Sequence, residues 1–270
     1  MAKELVSDEL WELVAPLIPA PKPKKISGRP RVADRKALTG ILFILRTGIP
    51  WEYLPQEMGC GSGMTCWRRL RDWNEAGVWQ RLHLLMLDKL GIADQINWER
   101  ASIDASLVPA KHGGSKTGKN PTDRGKPGSK RHLVVDQSGH ILVAELTAAN
   151  VNETTLLPEQ VDAIPAIRSP RGRWGRRRRR STKLHADKGY ASKNNRRQLR
   201  KRGITPRIAR PGVESSQKLG RHRWVVERAF ALVNQFRRLR VRDERQGKLY
   251  QAFLLIAATW INARALNLIT

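Results

Sequence analysis

The hydrophobic positions of the chain follow two different periods, and the change comes at about residue 100. Before it, apolar side chains such as Leu38, Ile41 and Leu45 recur at the spacing of an amphipathic helix. Helix signals frame these runs, with Ser7 as a capping residue and Gly48 as a stop. The pattern predicts a bundle of short helices over residues 7–18, 34–47, 65–76 and 78–90.

From residue 100 onward the pattern alternates, as it does in β-strands. Ile103 and Leu107 alternate with polar residues, which puts Asp104 on the opposite side of the strand from Ile103. Two further apolar runs flank the turn at 137–140, which is a hairpin signal. The predicted strands are 101–107, 132–136, 141–146, 183–187 and 204–208, and the predicted helices that follow are 154–164, 194–201, 219–238 and 249–268.

The order of these segments predicts a fold class and two domains. Three meandering strands followed by alternating helices and strands is the order of a ribonuclease H-like fold. We therefore predict an α/β protein whose residues 96–270 form a ribonuclease H-like domain, with a mixed five-stranded sheet and helices. A small all-helical, helix-turn-helix-like domain over residues 1–95 precedes it, with a basic linker near residues 22–31.

The charge of the chain indicates a polyanionic partner. Lysine and arginine number 51 against 24 acidic residues, which gives a formal net charge of +27. Such an excess repels itself, and binding to nucleic acid relieves it by releasing counterions. The basic residues are scattered rather than gathered on one face of an amphipathic helix, which argues against a membrane surface. The acidic start of the chain does not resemble a signal peptide, and the longest apolar run, 252–261, is about half the length of a membrane span.

Three carboxylates occupy positions that favour a functional role. Asp104 lies in the middle of a strand between apolar neighbours, where an ionisable side chain is costly. Asp187 ends the fourth predicted strand, at the carboxyl edge where sites in open sheets lie. Glu227 is flanked by the apolar stripes of its helix, one turn after Arg223. A structural role stays open for each, including an ion pair of Glu227 with Arg223.

Taken together, these carboxylates predict a metal site. Hard divalent cations prefer oxygen ligands, and we expect Asp104, Asp187 and Glu227 to be both catalytic residues and ligands of two Mg²⁺ ions, for which Mn²⁺ can substitute. Two such ions, roughly 4 Å apart, promote in-line displacement at phosphorus. The predicted chemistry is therefore phosphoryl transfer on nucleic acid.

Three basic segments are predicted to contact DNA. The linker 22–31 contains Gly28-Arg29-Pro30, which resembles the core of an arm that enters the minor groove, although a solvated linker is an equal alternative. The helix 65–76 has the arginines of a recognition helix, and core packing explains its tryptophans equally well. The loop 113–131 is next to Asp104 in sequence and is expected to bind phosphates. The predicted contacts are Arg29, Arg31, Arg68, Arg69, Arg71, Lys116, Lys119, Arg124, Lys126, Lys130 and Arg131.

The same loop contains a partial nucleotide-binding motif. Gly113, Gly118 and Lys119 have the spacing of a P-loop, but Asn120 stands where the motif needs serine or threonine. Pro121 then prevents the helix that should follow. We therefore expect no bound nucleotide.

Several strings along the chain resemble the insertion-sequence-five (IS-five) family of bacterial D-D-E transposases. The resemblance implies that Asp104, Asp187 and Glu227 are the catalytic triad and that Arg223 belongs to the glutamate motif as a DNA contact. Two positions depart from that motif, since Gly220 replaces its tyrosine and Asn234 its lysine. Arg237 or Arg221 is the expected substitute for that lysine. The strings are DELWELVAPLIP, GRPR, GILFILRTGIPWEYLP, SIDASLVPA, NPTDRGKPGSKRHLVVD, LHADKGYAS and RHRWVVERAFALVNQFRRLRVR.

This family resemblance implies a DNA transposase. Such an enzyme binds the terminal inverted repeats of an insertion sequence, cleaves them and joins them to target DNA, and we expect it to act as a homodimer on double-stranded DNA because two ends are joined. A cytoplasmic location, with association to the bacterial nucleoid through DNA, is expected. Two alternatives are a catalytically idle DNA-binding protein derived from a transposase and a related ribonuclease H-like nuclease.

Overall fold

Four helices at the start of the chain form where the hydrophobic spacing predicts them. The computed structural model describes residues 4–21, 30–170, 175–209 and 216–269, with the side chains of 216–222 left out. Ser7 and Ser62 cap α1 and α3, each by accepting a hydrogen bond from a backbone amide at 3.3 Å. Gly48 and Gly77 take left-handed conformations where the chain leaves α2 and α3. The helices are α1 Asp8–Val14, α2 Asp34–Thr47, α3 Gly63–Glu75 and α4 Val78–Ile92.

The strands that follow build one mixed sheet. β1, β3 and β4 pair in an antiparallel manner, and β5 and β6 extend the sheet in parallel from the other side of β1. The resulting order, β4-β3-β1-β5-β6, confirms the predicted ribonuclease H-like fold, and a two-residue β2 adds to the end of β3. The strands are β1 Arg100–Pro109, β2 Gly118–Lys119, β3 Pro127–Asp136, β4 Ile141–Ala148, β5 Lys183–Ala186 and β6 Thr205–Ile208.

Helices cover both faces of the sheet. Leu133 and Val135 of β3 pack into a first core with the N-terminal helices and the last two helices. Val134, on the opposite face, packs into a second core with α5 and α6. The last helix is buried along nearly its whole length, so the N-terminal helices share its core. The four later helices are α5 Glu153–Asp162, α6 Lys193–Lys201, α7 Ser216–Val233 and α8 Gly247–Ala265.

Two predicted boundaries are wrong, and each error assigned basic residues to an element in which they do not lie. β3 begins at Pro127, so Lys130 and Arg131 belong to a central strand and not to the loop 113–131. The strand extends this far because Lys130 pairs across to both Leu107 and Thr147, and sequence reading cannot see such long-range partners. The helix predicted to reach residue 238 ends at Val233, which places Arg237 in a separate short turn.

Two histidines in the interior make the stability of the fold depend on pH. Burial lowers the pKa of His83 to about 4 and that of His132 to about 3. The unfolded chain, with histidine pKa near 6.5, therefore takes up protons before the folded chain does, and stability present above pH 6.5 is lost as the pH falls toward 4.

We expect the free energy of unfolding to drop by about 2 kcal/mol per histidine between pH 6.5 and 5. The measurement is urea denaturation at both pH values for the parent and for His83→Gln, whose amide can replace the contacts to Leu142 and Thr259. The variant should lose less stability than the parent over this interval. An equal loss in both proteins would contradict the assignment to His83.

Candidate active site

Asp104 and Asp187 are placed side by side by two neighbouring parallel strands. β1 and β5 pair through Ser102 and His185, and each aspartate follows two residues later along its own chain. In a parallel pair, equal steps from a paired position keep two residues level. The two carboxylates therefore lie close together, and Asp187 comes directly after the end of β5.

The carboxylate of Asp104 is held by a cation and by its own strand. Arg223 donates to its Oδ2 at 2.7 Å, and the backbone amide of Ala105 donates to its Oδ1 at 2.8 Å. Burial raises the pKa of Asp104, Arg223 and the Ala105 amide oppose this rise, and nearby Asp187 adds to it. Arg223 thus pairs with Asp104 of the sheet, 119 positions away, instead of with Glu227 on its own helix.

Asp187 begins a tight turn that ends at Tyr190, and each of these two residues places a polar atom in the interior. The Oδ1 atom of Asp187 is buried and has no hydrogen-bond partner among the described residues. Tyr190, at the end of the turn, is fully buried, and its hydroxyl likewise has no partner within the described part of the chain. Burial raises the pKa of Tyr190, and the charges of Glu153, Asp104 and Asp187 raise it further. These three carboxylates therefore all act on the Tyr190 hydroxyl through their charge.

Glu227 occupies a different environment from the two aspartates. It lies on α7 one turn after Arg223, and its side chain is exposed. Over residues 4–21, 30–170, 175–209 and 216–269, no three histidine, cysteine or acidic side chains are gathered closely enough to hold a metal ion. The structure thus brings Asp104 and Asp187 together and leaves Glu227 on the adjoining helix, facing solvent.

The carboxylate of Glu153, which no sequence pattern singled out, lies close to Asp187. Glu153 is the first residue of α5, whose cap is Asn152. Its Oε1 lies 2.9 Å from the Lys130 ammonium, which also donates to the carbonyl of Val151 at 3.0 Å. Lys130 is only 7% exposed, and its ammonium is already paired with Glu153 inside the protein. The prediction that Lys130 binds DNA phosphate is therefore wrong. An acidic residue at a helix start is ordinarily explained by the helix dipole, so it gave no signal in the sequence.

Arg131, also predicted to bind phosphate, lies in the interior. It is 2% exposed, and its guanidinium donates to Asn234, to the carbonyl of Leu239 and to Ser106. Because these partners satisfy it in the interior, Arg131 cannot contact phosphate. It links β1, β3 and the end of α7, and Asn234, which departs from the family motif, is one of its acceptors.

The other predicted DNA contacts fall into three groups. Arg29 lies outside the described residues, together with the rest of 22–29. Arg31 and Arg69 both pair with Asp34, and Arg71 pairs with its neighbour Asp72. The remaining side chains are exposed, and they are Arg68, Lys116, Lys119, Arg124, Lys126 and Arg237.

Across the described ranges, none of the helices combines the length and the apolar character needed to cross a bilayer.

Two protein families match the sequence. Residues 6–83 match a family described as a putative transposase of the IS4/5 family. Residues 99–262, more than half of the chain, match the transposase DDE domain. The second match contains Asp104, Asp187 and Glu227.

The chain is similar to two proteins from Burkholderia cepacia. It is 58% identical over 123 residues to the insertion element IS402 uncharacterized 16.2 kDa protein, which covers 45% of this chain and 84% of that protein. It is 50% identical over 149 residues to the putative transposase for insertion sequence element IS402, which covers 55% of this chain and 69% of that protein. A solved structure, the Mos1 transposase paired-end complex with left transposon end, aligns over 86% of this chain and 78% of that chain, with 12% identity and a TM-score of 0.30.

Proposed function

The chain belongs to the DDE transposases of the IS4/IS5 type, and we propose that it binds the two inverted repeats of its insertion sequence, cleaves them and joins them to target DNA. One observation carries this proposal. Asp104 and Asp187 stand level on neighbouring strands, and an oxygen of Asp187 is buried without a hydrogen-bond partner among the described residues. A buried carboxylate oxygen of this kind is costly unless a ligand satisfies it.

A DDE transposase domain implies a divalent metal ion, and Asp104 and Asp187 offer such an ion the oxygen ligands that it prefers. We propose that Asp104, Asp187 and Glu227 hold two Mg²⁺ ions and that Mn²⁺ can replace them, because these residues offer only carboxylate oxygens. When bound, the metal supplies charge stabilisation for phosphoryl transfer. Asp187 supports this assignment most directly, since its Oδ1 has no other partner in the described part of the chain.

The protein's own residues prepare the site in two ways. Arg223 neutralises Asp104 and fixes its orientation through the 2.7 Å hydrogen bond, so two neighbouring carboxylates can coexist before any cation arrives. Exposed basic side chains then bind the DNA backbone without reading its sequence. Among these exposed side chains are Lys116, Lys119 and Arg124 of the segment that follows β1. Because two element ends are joined to one target, we propose that a homodimer acts on double-stranded DNA.

The test is a cleavage and joining reaction with the full chain. The substrate is linear DNA that carries the inverted repeats flanking the gene, the target is a supercoiled plasmid, and a duplicate reaction uses scrambled repeats. In Mg²⁺ we expect strand breaks at the repeat ends and plasmids that carry joined ends, with neither product from scrambled repeats. Breaks without joined products would indicate a nuclease, and specific binding without breaks would indicate an idle DNA-binding protein.

A further inference from the structure

The first turn of α5 is fastened to the turn that carries Asp187. The hydroxyl of Thr154 donates to the carbonyl of Gly189. Asn195, which is 1% exposed, donates to the carbonyls of both Thr154 and Tyr190, at 2.9 and 3.0 Å. These hydrogen bonds fix the position of Glu153 relative to Asp187, although the two residues come from different elements.

Gly189 lies close to the carboxylates of both Asp187 and Glu153. A Cβ placed on Gly189 would lie 3.0 Å from Oδ1 of Asp187 and 3.3 Å from Oε2 of Glu153. Both oxygens therefore border the same small space beside the glycine. Tyr190, the next residue of the turn, is fully buried, and its hydroxyl has no partner in the described part of the chain. The space is lined by polar groups whose hydrogen-bonding capacity is not used within the described part of the chain.

Two of the carboxylates near this space are paired with basic side chains. Glu153 is neutralised by Lys130 at 2.9 Å, as Asp104 is by Arg223 at 2.7 Å. Asp187 is close to both carboxylates, and no ion pair to it is seen among the described residues. Lys130 binds one oxygen of Glu153, Oε1, and Oε2 is the one that borders Gly189. Two carboxylates held by cations are therefore neighbours of Asp187, whose buried Oδ1 has no hydrogen-bond partner in the described part of the chain.

We propose that Glu153 is a fourth carboxylate of the divalent-cation site, oriented by Lys130 so that its Oε2 faces the cation beside Asp187. This inference rests on the proposed function and adds a residue to it. A purely structural reading, in which Glu153 only compensates the buried charge of Lys130, explains the 2.9 Å ion pair. It does not explain why the second oxygen of Glu153 borders Gly189 together with that of Asp187. It also does not explain why the buried Tyr190 hydroxyl of the same turn is left without a partner among the described residues.

The experiment measures Mn²⁺ binding to the full chain without DNA, by electron paramagnetic resonance of the free ion, so that it does not depend on activity. Glu153→Gln should weaken Mn²⁺ affinity about tenfold or more, the size expected for residues that line a metal site. Because this change leaves Lys130 buried and uncompensated, a double variant, Lys130→Met with Glu153→Gln, is measured in parallel. The double variant should bind Mn²⁺ as weakly as the single one.

Two further variants separate the possible outcomes. Glu159→Gln, an exposed glutamate on the same helix, should keep the parental affinity, and Asp187→Asn should lose it. Parental affinity in the double variant would overturn the inference, since Glu153 would then act only on Lys130. Parental affinity in Glu153→Gln together with weak binding in Asp187→Asn would overturn the inference and leave the proposed function standing. Unchanged binding in both would overturn the metal site itself.

Discussion

Asp187→Asn is expected to abolish cleavage and joining while it leaves binding to the element ends within about twofold of the parent. The substitution keeps the shape of the side chain and removes the charge of the one site carboxylate oxygen that is buried without a partner in the described structure. Loss of a metal ligand costs several kcal/mol in the barrier, which is on the order of 10³ in rate. Binding survives because affinity for DNA comes mainly from lysine and arginine contacts to phosphate. Single-turnover cleavage in Mg²⁺ and a gel-shift titration measure the two effects.

The controls follow from the same reasoning. Asp94→Asn changes an exposed aspartate whose backbone is left-handed, a conformation that asparagine tolerates, and it should cleave at the parental rate. The double variant of Asp104 and Asp187 should be about as inactive as either single one, because residues that act as a unit do not contribute additively. Normal cleavage by a folded Asp187→Asn protein would exclude the assignment. Parallel losses of cleavage, DNA binding and thermal stability would instead indicate a structural aspartate.

Local sequence signals were sufficient to locate the two aspartates. Asp104 interrupts an alternating strand, and Asp187 follows the apolar end of another, so period and position alone predicted where they stand. The parallel pairing of β1 with β5, which the structure shows, then brings the side chains together. This succeeds because the fold class fixes which strands are neighbours.

The same reasoning fails for Lys130, Arg131 and Glu153. Proline, glycine and serine before Lys130 resemble a loop, and a loop lysine is normally solvated. The strand exists because β1 and β4 pair with it, and burial follows from helices that cover both faces of the sheet. Whether a basic residue binds DNA or an internal carboxylate therefore depends on contacts that are distant in sequence.

The change of period predicts a division into two domains at residue 95. The first hydrophobic core, however, contains side chains from both sides of that boundary. The first core contains Leu38 and Leu82 from the N-terminal helices, Leu133 from the sheet and Phe253 from α8. A ribonuclease H-like unit that began at residue 96 would leave one side of α8 without cover. We therefore expect the helical region and the sheet to unfold together as one cooperative unit.

Gly63→Ala tests this shared core, and we expect it to destabilise the N-terminal helical region and the sheet together. Gly63 begins α3, where an added Cβ would overlap the backbone carbonyl of Trp51, and a main-chain neighbour cannot rotate away. The Trp51 ring stacks on Phe253 of α8, with centroids 5.8 Å apart, so a displacement there reaches the last helix. Overpacking of this kind costs about 3 kcal/mol. Urea denaturation followed by tryptophan fluorescence gives the loss in the free energy of unfolding.

Amide hydrogen exchange then shows which helices and strands lose stability. In Gly63→Ala, protection should fall together in α2–α4, in β3 and β4, and in α8, because global unfolding exposes all of them. Met64→Ala, the next position on the same helix, alters a side chain that is 50% exposed and should change stability by less than about 0.5 kcal/mol. Faster exchange confined to residues 34–92, with β3 and α8 protected as in the parent, would show two units that fold separately. In that case the boundary at residue 95 would divide the fold itself, and contacts with α8 would serve only to dock one unit on the other.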